Sequence, residues 1–215
     1  MAAPEEGRSA RKRKAIMAAA TQVFLAKGYL GTTIDEIAAL AAVSKQTVYK
    51  NFGDKEQLFA EIVLATTDEI DELVRLVSGS LDGTEDLDRD LGALARHFAT
   101  ALMRPHLLRL RRLVIANADR LPHLGRAWYE RGFGRVLATL ASRFQALAET
   151  GRLRVDDPML AAQHFVGLLL WIPVNKAMFS GDDESSSTPA ELERYAEAAV
   201  SAFLGGYGGE ARGSR

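Results

Sequence analysis

Residues 44–55 read Ser44-Lys45-Gln46-Thr47-Val48-Tyr49-Lys50-Asn51-Phe52-Gly53-Asp54-Lys55, with hydrogen-bond donors set around two apolar side chains. Ser44 is of the type that caps a helix amino terminus and Gly53 of the type that stops one, so a short helix carries the set. On it Val48 is placed to pack with Ile37, Ala38 and Val43, which leaves Lys45, Gln46, Thr47, Tyr49 and Lys50 facing outward. Amines, an amide, a methyl and a phenol are the groups that meet base edges and phosphates. Lysine suits guanine O6 and N7, and glutamine suits adenine N6 and N7. That chemistry is recognition.

The groups needed for catalysis are scattered. The chain has no cysteine, which excludes disulfides, thiol nucleophiles and thiolate zinc sites. Its four histidines (His97, His106, His123, His164) form no metal-binding pair. Neighbouring acids occur on solvated segments such as Asp156-Asp157 and Asp182-Asp183-Glu184, and Gly132-Phe133-Gly134 lacks the third glycine and preceding strand of a phosphate loop. No catalytic residue, metal or cofactor is expected. Formal charge sums to −1 over 215 residues, but residues 1–60 carry +3 and residues 61–215 carry −4. A basic amino-terminal surface on an acidic body fits a polyanionic partner.

The elements that position the donors are helical throughout, and the fold class is all-α. Helix one is expected over 9–27, ending at Gly28. Thr32-Thr33 opens helix two with Asp35 and Glu36 in its first turn, and a turn through Ala42-Val43 leads to the short helix. The unit over 33–52 is a helix-turn-helix. A long fourth helix is expected over 55–77 as a single rod, followed by helices at 84–103, 105–117, 122–149, 157–179 and 189–204. Gly132 and Gly134 predict a bend in the seventh helix, 122–149, and Pro173 a kink in 157–179.

Residues 10–60 resemble the DNA-binding domain of the TetR family of bacterial transcriptional regulators. The matching positions are Ile16, Ala20, Phe24, Gly28-Tyr29, Thr32-Thr33-Ile34, Ile37-Ala38, Val43-Ser44, Thr47-Val48-Tyr49, Phe52, Asp54-Lys55-Glu56 and Leu58-Phe59. Ala42 departs from the family, which has glycine in the turn; a positive φ there costs an alanine about 1 kcal/mol. The resemblance implies a double-stranded DNA operator as partner, contacted by Thr33, Ser44, Lys45, Gln46, Thr47, Tyr49, Lys50, Asn51 and Lys55. Thr33 would offer a phosphate its hydroxyl and a helix-terminal N–H. Lys45 and Gln46 would read bases, while Tyr49, Lys50, Asn51 and Lys55 would hold the backbone. Arg8, Arg11, Lys12, Arg13 and Lys14 suit either an arm reaching DNA or a solubilising terminus.

The segment 113–170 is similar to the carboxy-terminal domain of AefR-like members, on Leu113-Val114-Ile115-Ala116, Trp128-Tyr129-Glu130-Arg131-Gly132 and Leu153-Arg154-Val155-Asp156-Asp157-Pro158. The implied organisation is a flexible arm over 1–9, a DNA-binding domain over 10–60, an effector-binding and dimerisation domain over 61–204, and a disordered tail over 205–215. The last two helices would build a homodimer, and a small apolar or amphipathic effector would bind among Phe98, Trp128, Phe133, Phe165 and Leu169; plain core is the other reading of these aromatics. Eight arginines over 104–135 leave open an anionic effector or a solvated face. Arg11-Lys12-Arg13-Lys14 before an apolar run imitates a signal peptide, but Thr21 and Gln22 interrupt it, and the uncharged stretch 165–175 is short of a span of about 20 residues. The expectation is a cytoplasmic repressor, not an enzyme and not a membrane protein. The alternatives are a helical small-molecule or lipid-binding protein, or an enzyme, without DNA binding.

Overall fold

The computed structural model describes residues 3–180 and 187–209. Eleven α-helices account for most of these: α1 (Ala3–Gly31), α2 (Ile34–Leu40), α3 (Lys45–Phe52), α4 (Lys55–Ala65), α5 (Thr67–Ser80), α6 (Leu87–Leu102), α7 (Pro105–Ala116), α8 (Pro122–Tyr129), α9 (Arg135–Glu149), α10 (Pro158–Phe179) and α11 (Pro189–Tyr207). Their starts are written in the sequence. Asp54, Asp86 and Asp157 cap α4, α6 and α10, and Thr188 with Glu191 forms a capping box on α11. Prolines occupy the first position of α7, α8, α10 and α11, where no amide is needed.

The chain divides into two compact units. The first comprises residues 1–66 and 109–128. Its core sets Ile16, Ala20 and Phe24 of α1 against Ile37, Val48, Phe52, Leu58, Phe59 and Ile62, together with Leu110, Leu113, Val114, Leu121 and Leu124. Phe24, Tyr29 and Phe59 pack ring on ring at 5.0–5.9 Å. The backbone of α1 changes direction at Gly28 (φ 71°, ψ 174°), which a β-carbon would resist.

The second unit comprises residues 67–108 and 129–215, as far as they are described. α10 packs on α9 and α11, α6 on α11, and α5 on α9. Phe98, Phe144, Phe165 and Phe203 are fully buried, with Phe165 edge-on to Phe144 and Phe203 at 5.8 and 5.2 Å. α10 is long and apolar enough to cross a bilayer by length and composition. It instead buries Ala161, Phe165, Leu169 and Ala177 within this core. It continues through Pro173.

Several expectations change. The arm over 1–9 is helical from Ala3, because nothing in Pro4 to Ser9 breaks the helix. The rod over 55–77 is two helices meeting at Thr66, whose hydroxyl donates back to the Val63 carbonyl at 2.7 Å and accepts from Trp128 Nε1 at 3.3 Å. The first unit therefore reaches Thr66 and also recruits residues 109–128, whose apolar side chains join its core. The run 122–149 passes through a π-helical turn over Glu130–Gly134 that absorbs the two glycines. α11 extends to Tyr207, and Leu153 pairs with Gly208, so residues 205–208 are ordered where a disordered tail is expected. Residues 210–215 and most of the loop at 181–188 lie outside the described residues.

Ala42 is the one described non-glycine residue with positive φ, at 53°. Its side chain is exposed, so removing it forfeits no packing. Ala42→Gly is expected to stabilise the first unit by about 0.5–1 kcal/mol, the relief of the left-handed strain less glycine's extra unfolded-state entropy. Urea unfolding checks this: the midpoint rises with the slope unchanged.

Candidate nucleic-acid interface

The turn between α2 and α3 is closed by backbone bonds. The amide of Ala41 donates to Ile37 O at 2.9 Å and that of Val43 to Ala38 O at 3.0 Å. Val48 and Phe52 anchor α3 in the first core, while Lys45, Gln46, Tyr49 and Lys50 are exposed. Positions 45, 46, 49 and 50 fall one turn apart, so the four make a single outward face. The exposure of these four is as the sequence predicts.

The capping residues are engaged more closely. Ser44 Oγ accepts the Thr47 amide at 3.1 Å and pairs with the Thr47 hydroxyl at 2.8 Å, leaving the Thr47 methyl as its outward group. Thr33 forms a capping box with Glu36: its Oγ1 accepts the Glu36 amide and its own amide donates to Glu36 Oε2, both at 3.3 Å. The Thr33 hydroxyl, like its amide, is bonded to the Glu36 carboxyl. Lys27 donates to Glu36 and, with the Thr33 amide, holds that carboxyl below its usual range. Lys45 Nζ donates to Asp35 Oδ2 at 3.0 Å, which keeps the ammonium above the ordinary lysine value.

Two residues expected on DNA, Asn51 and Lys55, turn inward, as does Arg13 of the basic run. Asn51 Nδ2 donates to Thr47 O at 2.8 Å within its own helix. Lys55 Nζ donates to the carbonyls of Tyr29 and Thr32 at 2.9 and 3.0 Å and sits 4.6 Å from the Tyr29 ring centroid. It joins α4 to the α1–α2 connection as an internal clamp. Arg13 leaves the basic run altogether. It donates to Asn51 O at 2.8 Å, pairs with Glu61 of α4, and lies 4.3 Å over the Phe52 ring. A cation at the carbonyl end of α3 complements the helix dipole. Arg8, Arg11, Lys12 and Lys14 remain exposed along the first turns of α1.

The residues expected around an effector distribute between the units. Phe98, Phe165 and Leu169 are fully buried core of the second unit, and Phe133 packs partly exposed against that core, 5.8 Å from Tyr129. Trp128 packs partly buried against the core of the first. Of the clustered arginines, Arg135 pairs with Asp71 at 2.7 Å, and burial pushes the Arg111 guanidinium down from its ordinary value.

Comparison with known proteins agrees with this geometry. Residues 16–62 match the domain described as bacterial regulatory proteins of the tetR family, and residues 89–209 match the carboxy-terminal domain of AefR-like transcriptional repressors. A protein from Mesorhizobium loti assigned to the TetR family is 52% identical in sequence, with a TM-score of 0.84 over 94% of this chain and 98% of that one. The flavonoid-responsive regulator FrrA is 28% identical, with a TM-score of 0.70 over 94% of this chain and all of its own. The HTH-type transcriptional regulator YhgD of Bacillus subtilis is 30% identical over 162 residues, 75% of this chain and 81% of YhgD. The chain belongs to the TetR family of ligand-responsive, DNA-binding transcriptional regulators, with a body of the AefR-like repressor type.

Proposed function

We propose that this protein is a cytoplasmic repressor that binds a palindromic operator as a homodimer and is released by a small apolar or amphipathic effector. The observation that carries the reading is the outward face of α3, where Lys45, Gln46, Tyr49 and Lys50 stand clear of a backbone fixed by Val48, Phe52 and Arg13. Lys45 and Gln46 read bases. Tyr49 and Lys50 hold phosphates, with the Thr33 hydroxyl at the start of α2 and the Ser44–Thr47 cap beside them. Catalysis has no part in this reading, and the matched relatives are regulators.

The dimer reading rests on α10 and α11. Leu168, Trp171, Ile172 and Phe179 are 48%, 68%, 54% and 89% exposed on α10. Ala198, Ser201, Ala202, Gly205 and Gly206 form an exposed strip of small residues on α11 that permits close helix approach. A second copy covers both faces through an isologous contact, the arrangement that matches a two-fold operator. For the effector, Phe133 within the π turn is the expected aromatic of the second unit that keeps exposure, and an aromatic ligand is supported by the flavonoid response in FrrA's name.

Three outcomes test these assignments. Gln46→Ala costs about 1–3 kcal/mol on a duplex enriched by the protein from a random library and little on random DNA; equal losses would reduce Gln46 to a positioning role. Lys55→Ala destabilises the fold by about 1–3 kcal/mol, the scale of charge-assisted hydrogen bonds, and leaves the salt dependence of DNA binding unchanged. A slope shallower by about 1 per subunit would return Lys55 to the phosphates. Trp171→Glu buries a charge in the subunit contact and raises the dimer dissociation constant at least about 30-fold, measured by sedimentation equilibrium.

A further inference from the structure

The reading face of α3 carries a negative charge beside one of its own donors. Asp35 lies in the first turn of α2 with its side chain 68% exposed, and it accepts from Lys45 Nζ at 3.0 Å across the helix-turn-helix. The second carboxylate of that turn, Glu36, is engaged by Lys27 and by the capping box. It already serves the amino terminus of α2, so the helix does not need Asp35 for its cap. An exposed carboxylate on a surface that meets a polyanion lowers affinity for every DNA sequence unless it does something else.

Building on the DNA-binding reading of this face, we propose that Asp35 is a specificity-determining residue. It aims the Lys45 ammonium at the base edges and cancels it as a phosphate contact. An ammonium has three donors, so one stays on Asp35 while two remain for guanine O6 and N7. On DNA of arbitrary sequence those two donors find no matching acceptors. The pair then approaches the phosphates as a neutral unit and releases no counterion. Asp35 weakens non-specific binding more than specific binding, and the repulsive element raises the ratio between them.

Asp35→Asn keeps the shape and removes the charge. The probes are a short duplex of random sequence and a duplex enriched from a random library by the wild-type protein, each titrated by fluorescence anisotropy over a salt series. The variant is expected to bind the random duplex about two- to fivefold more tightly per head, the scale of one exposed charge pair, with a slope steeper by about 0.9 per head. The enriched duplex gains less, so the discrimination ratio falls; Asp35→Glu restores it. An unchanged affinity and slope on the random duplex overturns the proposal, as does an equal gain on both duplexes. The same gain in a Lys45→Ala background also overturns it, because Asp35 would then act by plain repulsion and not through Lys45. Failure of the wild-type protein to bind either duplex at low salt is a different result: it removes the DNA-binding reading of this face, and this inference with it.

Discussion

The ammonium of Lys55 fixes the geometry on which the reading head depends. The chain that turns at Gly28 within α1 and starts α2 at Ile34 presents carbonyls that no helix satisfies. Lys55, the first residue of α4, donates to two of them, Tyr29 O and Thr32 O. Its charge lies over the ring of Tyr29, which stacks with Phe24 and packs on Phe59. The Tyr29 hydroxyl has its pKa raised, first by burial and then by Glu56 and Asp54. Polar satisfaction and aromatic packing therefore meet at one point, and that point sets where α2 begins. Arg13 does the matching work at the far end of α3, so both ends of the helix-turn-helix are held by cations from flanking helices.

Much of this was legible in the residues. Gly28, Gly53 and the Ser44, Asp54 and Thr188 caps mark helix ends because their backbone and hydrogen-bonding preferences are local. The outward face of α3 was legible for the same reason, since Val48 and Phe52 define which side is buried. The departure at Ala42 also carried its own consequence: the turn keeps the left-handed conformation even without glycine.

What local pattern cannot supply is the partner of a buried face. Leu110, Leu113, Val114, Leu121 and Leu124 announce an apolar stripe, yet nothing in their spacing says that it closes the amino-terminal core. The break at Thr66 has no glycine or proline to mark it; it depends on a hydroxyl bonded back to Val63 and on an indole 62 residues later in the chain. Arg13 did leave a signal. It stands one turn before Ile16, on the stripe that continues through Ala20 and Phe24, and a cation in register with core residues has a reason to be inside. Asp35 left a misleading one, because an acid in a first turn already has an explanation in the helix dipole.

The distribution of charge then constrains how the head can hold DNA. Nine basic residues precede residue 61, but Arg13 is paired with Glu61, Lys27 with Glu36, Lys45 with Asp35, and Lys55 is seated on carbonyls. The exposed cations outside these contacts are Lys50 on α3 and Arg8, Arg11, Lys12 and Lys14 on the first turns of α1. A head that uses four of its nine cations to fix its own helices has a reduced electrostatic term, since only neutralised phosphates release counterions. Rigidity compensates in part, because a pre-ordered α3 loses little conformational freedom on docking. The remaining requirement is number. In the dimer we propose, two heads joined through α10 and α11 would double the phosphate contacts and turn the second half-site into an intramolecular event, so subunit pairing would do for affinity what the charges of one head do not.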